Sequence, residues 1–348
     1  MGQKQLFIEQ IEQGMELKEL FLVKYIAEGH GRDGKGYLNV ILSDKTGQVE
    51  ARMWSNYELA LMSIKPGDLA EVVGKGNRYQ KKLQIIIKSL KKSSFKGPLE
   101  DFTAGTKKDV AKMREGLNSI IDSLDDYYIK HLLQIVLSDP LISDRLNTWF
   151  AGKSVHHAYQ GGLLEHILSC ASLAQSLSPH YGVNRNYVVA GAILHDLCKV
   201  HELSSGPVVD YTMEGKLVGH LVKGVELIER FSRKIPDFPC DLKLHLKHIV
   251  VSHHGETEYG SPKVPSTLEA ALVHYIDYLD SKMAALKELK EGDKSSGDWS
   301  AFDRISGRSI LKRDLPFYEN RVAKNAELPR EKKLSQNDLA QQLKDIKL

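Results

Sequence analysis

VVAGAILHDLCKV (Val188–Val200) is an apolar run with an imidazole and a carboxylate at its centre. An ionisable group set among valine, isoleucine and leucine is costly unless it has a partner, and a metal ion is a good one. On a helix His195 and Asp196 stand about 100° apart, so both can reach one ion or two neighbouring ions. Asp196 has two oxygens and can bridge. Lys199 lies three residues after Asp196, on the same side, where it can meet a phosphate oxygen.

Further ligand-type residues flank this run in order: His166, then His195-Asp196, His220, His253-His254 and Asp277. Such a mixture of imidazoles and carboxylates suits a pair of divalent ions, which roughly 3.5–4 Å apart can activate water against a phosphodiester. Each residue alone is weak, since a lone buried histidine is usually a hydrogen-bonded core residue. The ordered set is far more specific. His30, His131, His180, His201, His245 and His248 have no such context. Asp277 lies in LEAALVHYIDYLDSKM, an amphipathic helix in which Asp280, one turn on, is placed to orient a ligand.

The first hundred residues are built differently. GYLNVILSDKTGQVEARMW alternates apolar and polar residues on both sides of Asp44-Lys45-Thr46-Gly47. Leu38, Val40 and Leu42 share one face, as do Val49, Ala51 and Met53, which is a hairpin signal. A strand near Leu17 to Ala27, two more near Leu69 to Gly74 and Leu83 to Leu90, and a short helix near Tyr57 to Met62 complete a small closed barrel of OB type. Lys75, Arg78, Lys81, Lys82, Lys88, Lys91, Lys92 and Lys96 fall in a stretch without Asp or Glu. With Tyr79 inside it and Tyr25, Tyr37 and Trp54 nearby, this pattern suits single-stranded nucleic acid. A solvated basic edge strand gives the same composition.

The chain has 348 residues and a net charge of +3, so two domains are expected and any positive field must be local. Its three cysteines, Cys170, Cys198 and Cys240, are too few and scattered for a disulfide framework or a zinc ribbon. No signal peptide or membrane-length apolar run is evident, which points to a cytoplasmic protein. The expected organisation is a small all-β OB-type barrel over 1–95, a linker over 96–109, an all-α domain bearing the ligand-type residues over 110–325 and a charged tail over 326–348. Helical periodicity begins with Val110, Met113, Leu117, Ile120, Ile121 and Leu124.

HHAYQGGLLEHIL, ILHDLCK, GHL, VSHHGE and YIDYLD together resemble the HD-domain metal-dependent phosphohydrolases. Within them they are most similar to the YhaM-type 3′→5′ exoribonucleases, which pair an OB domain with the HD domain. The resemblance runs over nearly the whole chain. It implies one ion on His166, His195, Asp196 and Asp277, and a second on Asp196, His220 and His253, with His254 completing that set or touching substrate. Hard carboxylates and imidazoles suit Mn²⁺, with Fe²⁺ or Mg²⁺ as alternatives. Lys199 and Asp196 are the expected catalytic residues. His156, His157, Arg78, Tyr79, Lys81 and Lys82 are expected to bind substrate, with a supporting role the alternative for the two histidines. The expected partner is single-stranded RNA, with single-stranded DNA and a homo-oligomer left open. Cleavage polarity comes from the resemblance alone. The rival readings are an HD-type nucleotide or cyclic-dinucleotide phosphohydrolase, a non-catalytic single-strand-binding factor and a protein-interaction scaffold.

Overall fold

The computed structural model describes residues 4–31, 34–79, 82–95, 101–153, 157–204, 209–293, 297–303 and 306–313. Five strands form the expected barrel: β1 (Glu16–His30), β2 (Gly36–Asp44), β3 (Gly47–Met53), β4 (Leu69–Tyr79) and β5 (Lys82–Lys92), with helix α1 (Glu58–Ser63) between β3 and β4. The sheet closes in the order β1-β2-β3-β5-β4. β1 is long enough to pair with β4 through its first half and β2 through its second, and a bulge between Val23 and Tyr25 lets it turn. β3 and β5 supply the parallel pair that closes the barrel.

Strand alternation does the sorting. Leu38, Val40 and Leu42 on β2 and Val49, Ala51 and Met53 on β3 point inward and meet Phe21, Val72 and Ile85. The β2–β3 turn is tied by Asp44, whose Oδ1 accepts from the Thr46 backbone N–H at 2.8 Å, the side-chain turn this residue type favours.

The expected linker is not a free tether where it is described. Lys45 donates to Asp101 at 2.7 Å, and Phe102 is buried with Leu20, Leu22 and Leu69 of the barrel. Thr106 N–H then donates to the Gln160 carbonyl at 2.8 Å, in the helical domain. Residues 96–100 lie outside the described set.

The helical domain contains α2 (Val110–Asp122), α3 (Tyr127–Leu137), α4 (Pro140–Leu146), α5 (Gly162–Tyr181), α6 (Arg185–Leu194), α7 (Lys199–Glu202), α8 (Met213–Leu217), α9 (Gly219–Ser232), α10 (Cys240–Ser252) and α11 (Leu268–Gly292). Asp109, Asp126 and Asp139 accept backbone N–H groups at the starts of α2, α3 and α4, and Thr267 does so for α11. The buried stripe of α2 is Met113, Leu117, Ile120 and Ile121, the spacing of one helix face. α6 is the centre: Val188 through Leu194 are buried, and α5, α10 and α11 pack around it. Within the separate unit that begins at Ser296, Trp299 pairs with Leu311 and Asp303 with Arg308 in a small antiparallel turn. The expected tail, 326–348, lies outside the described residues.

Gly191 allows α6 to approach two helices at once. A Cβ there would stand 2.6 Å from Ile249 Cγ2 and 2.9 Å from Val273 Cγ2, both on stiff β-branched side chains. Gly191→Ala sets an overpacking cost of ~1–3 kcal/mol against a helix-propensity gain of about 1 kcal/mol. The expected outcome is a lower urea midpoint. A higher midpoint would mean that α10 and α11 give way freely.

Candidate metal centre

The HD doublet does not lie within a helix. α6 ends at Leu194, His195 is its C-terminal cap, and a tight turn leads into α7 at Lys199. Position explains chemistry here. The last carbonyls of a helix lack intrahelical partners, and a histidine just past the end can satisfy one. His195 Nδ1 donates to the Ala192 carbonyl at 3.0 Å. His253 caps α10 in the same way, donating to the Val250 carbonyl at 2.8 Å. Each ring is thereby locked with Nε2 unprotonated and directed away from its own helix end, the tautomer a metal ligand requires.

His166, on α5, reaches the same result through a carboxylate: its Nδ1 bonds Asp280 Oδ2 at 2.8 Å. His220, at the start of α9, bonds both oxygens of Glu202 through Nδ1, each at 3.0 Å. His254 donates from Nδ1 to the Tyr259 carbonyl at 3.1 Å. All five ligand-type histidines thus have Nδ1 engaged.

Two groups of donor atoms result. In the first, His166 Nε2 lies 3.2 Å from His195 Nε2, 3.5 Å from Asp196 Oδ2 and 3.3 Å from Asp277 Oδ1. An ion with bonds of about 2.1 Å spaces its ligand atoms roughly 3.0–3.4 Å apart, so these atoms are close to ligating positions. In the second, Asp196 Oδ1 lies 3.4 Å from His220 Nε2 and 3.6 Å from His253 Nε2, with His254 grouped alongside. Asp196 Oδ1, His220 Nε2 and His253 Nε2 are buried without a hydrogen-bond partner. Folded proteins leave few such atoms, each costing about 1–3 kcal/mol. Three side by side fit a divalent-metal site, the coarse property that an HD domain implies.

Electrostatics separate the rings: burial pulls the His166 imidazole down, but Cys170 and the Asp196, Asp277 and Asp280 carboxylates outweigh it and raise it well above the ordinary range. Burial pushes the Asp196 carboxyl up, but the Lys199 ammonium and His195 outweigh it and hold the group well below the ordinary range. Burial pulls His195 and His253 below the ordinary imidazole range, and pulls His254 down to about 4, so these rings are neutral at pH 7. Cys170 lies beside His166, but burial pushes its thiol up to about 11, which makes a thiolate ligand unfavourable.

Lys199 Nζ lies 2.6 Å from Asp196 Oδ2. His157 is buried, with Nδ1 on the Tyr159 hydroxyl at 2.9 Å and Nε2 on Asp280 at 3.2 Å, so it touches the support of His166. His156 and Lys81 lie outside the described residues. Glu202 and Tyr159 were not singled out from the sequence: an acid three residues past Lys199 carries no periodic signal, and neither does a tyrosine in a loop. His274 was also passed over; its Nδ1 donates to the His253 carbonyl at 2.8 Å.

On the barrel, Trp54 is 50 % exposed and Tyr79 53 %. Trp54 is therefore no core residue. The Arg52 guanidinium lies 5.1 Å from the Tyr37 ring, 5.8 Å from Trp54 and 5.7 Å from Tyr79. Arg52 occupies the outward position between Glu50 and Trp54 that strand alternation assigns it, where one cation two residues from an acid carries no compositional signal. Arg78 and Lys82 are exposed. Lys88 and Lys92 are already paired, with Glu16 at 3.0 Å and Asp68 at 2.8 Å.

Residues 163–282 match the HD domain family, and residues 21–92 match the OB-fold nucleic acid binding domain family. A relative named 3′-5′ exoribonuclease YhaM from Geobacillus sp. strain WCH70 is 34% identical over 292 residues, covering 81% of this chain and 88% of that protein. A protein of the same name from Bacillus subtilis strain 168 is 29% identical, covering 81% of this chain and 91% of that one. The second OB-fold domain of replication protein A from Methanococcus maripaludis, a solution structure, is 22% identical, covering 27% of this chain and 98% of that one with a TM-score of 0.22. The helical domain carries the HD metal centre, the barrel is an OB-fold of the nucleic-acid-binding kind, and the chain belongs to the YhaM family of 3′-5′ exoribonucleases.

Proposed function

We propose that this chain shortens single-stranded RNA from its 3′ end, releasing nucleoside monophosphates, at a site for two Mn²⁺ ions, and that it accepts single-stranded DNA as well. The observation that carries the reading is the trio of partnerless buried atoms on Asp196, His220 and His253, beside a four-atom set that shares the same aspartate. One ion needs fewer donors than this chain converges. His166, His195, Asp196 and Asp277 would hold one ion. Asp196, His220 and His253, with His254 beside them, would hold the other. Bound there, divalent ions supply Lewis acidity toward phosphoryl oxygens and lower the pKa of water toward neutrality.

The chain's own residues do the rest. Asp196 offers Oδ2 to one set and Oδ1 to the other, which keeps the two sets in register. Lys199 is held charged: burial pulls its ammonium down, but the Asp196 carboxylate outweighs this and raises it above the ordinary range. Its role is to offset negative charge as the phosphate is attacked. Tyr37, Trp54, Tyr79 and Arg52 give bases a stacking surface, while Arg78 and Lys82 meet phosphates. Three-prime polarity and the preference for RNA rest on the family.

The direct test is incubation with end-labelled single-stranded RNA, single-stranded DNA and small nucleotides, with and without Mn²⁺. Stepwise loss from the RNA 3′ end with the cation supports the reading, whereas hydrolysis of small or cyclic nucleotides with RNA left intact overturns it. In the same assay Lys199→Ala is expected to lower turnover by roughly 10²–10³-fold, the scale for one charge-stabilising donor, with metal content unchanged. Wild-type turnover would remove Lys199 from the chemistry.

The barrel makes its own prediction. Each cation that neutralises a phosphate on a single strand contributes about 0.7 to the slope of log affinity against log salt. Arg78→Ala with Lys82→Ala should flatten that slope by about 1.4 if both make contact. Trp54→Ala should cost on the order of 1–3 kcal/mol of binding while leaving the slope nearly unchanged. If both variants bind like the wild type, nucleic acid enters by another face.

A further inference from the structure

The single turn of α7 braces the metal centre from both ends. Lys199 opens it and pairs with Asp196 Oδ2 at 2.6 Å. Glu202 closes it, three residues on, with its side chain 12% exposed. Both Glu202 oxygens lie 3.0 Å from His220 Nδ1, and Oε1 also accepts the His220 backbone N–H at 3.2 Å. Gly219 prepares this approach by taking φ +78°, and a Cβ there would stand 3.6 Å from Glu202 Oε1. The start of α9 is therefore fixed against the end of α7 through one carboxylate.

The consequence lies on the far side of the His220 ring. An Nδ1–H that donates to Glu202 leaves Nε2 unprotonated. Nε2 is the atom that is buried, lacks a hydrogen-bond partner, and faces Asp196 Oδ1 at 3.4 Å. His253 and His254, its neighbours, are oriented by backbone carbonyls. His220 alone in this group is oriented by a side chain, so its orientation can be removed by mutation without touching a donor atom.

We propose that Glu202 is a positioning residue for the second ion. It sets the tautomer and rotation of His220, so the hold on that ion depends on a residue that does not contact it. The inference rests on the two-ion reading above. A merely structural Glu202 would pin α9 and leave ion affinity alone.

The experiment is calorimetric titration of Mn²⁺ into the full-length metal-free chain, comparing wild type, Glu202→Gln, Glu202→Ala and His220→Ala, with helix content followed by circular dichroism. The wild type should bind two ions. Glu202→Ala should bind one ion as the wild type does and the other about 10- to 100-fold more weakly, the usual effect of losing the partner of a ligating histidine. His220→Ala should weaken the same ion. Glu202→Gln retains one neutral acceptor oxygen and should fall between wild type and Glu202→Ala. If Glu202→Ala binds both ions with wild-type affinity, the proposal is overturned. Should Glu202→Ala fail to fold, Glu202→Gln decides, and wild-type affinity for both ions again overturns it. A wild type that binds a single ion fails the two-ion reading instead.

Discussion

One buried carboxylate holds the helical domain to its purpose. Asp196 is 2% exposed, yet it stays ionised because the Lys199 ammonium lies 2.6 Å from Oδ2 and outweighs the cost of burial. Both of its oxygens are committed, Oδ2 toward His166, His195 and Lys199, and Oδ1 toward His220 and His253. Five elements of the chain converge on it: α5, the turn after α6, α7, α9 and the end of α10. A charge in that position is expensive without partners. The packing of VVAGAIL around it is what brings those partners within reach.

Helix ends account for the way the centre is built. His195 and His253 stand just past helix C-termini, where free carbonyls take their Nδ1 protons and leave Nε2 available. His166, inside a helix, and His220, at a helix start, have no such carbonyl at hand and use Asp280 and Glu202. Backbone and carboxylate supports solve one problem, the choice of tautomer, according to where each histidine sits. The barrel follows a separate logic of strand alternation, with apolar side chains inward and Tyr37, Arg52 and Trp54 outward. Among the described residues, no helix is long and apolar enough to cross a membrane.

Much of this was legible in the sequence because it rests on local periodicity. Alternation around Asp44-Lys45-Thr46-Gly47 gives β2 and β3, and the 3–4 spacing of Met113, Leu117, Ile120 and Ile121 gives α2. The ordered histidines and aspartates mark the centre because ionisable groups are rare in apolar helices. What escaped notice depends on tertiary placement. Glu202 becomes a support only when α9 folds back onto α7. Arg52 becomes part of an aromatic surface only when β4 brings Tyr79 beside β3. The doublet was expected within a helix and lies in the turn after one, because His195 ends α6 by satisfying the Ala192 carbonyl. Trp54, the residue after β3, faces outward, since the alternation of that strand has already given Val49, Ala51 and Met53 to the interior.

Under the proposed function Asp196 is shared by two ions. Elemental analysis of metal in protein purified without chelators, with Asp196→Ala treated in parallel, tests it most directly. Close to two ions per wild-type chain are expected, with both lost from a folded Asp196→Ala variant. Two ions retained by Asp196→Ala, or a single ion in the wild type, would contradict it.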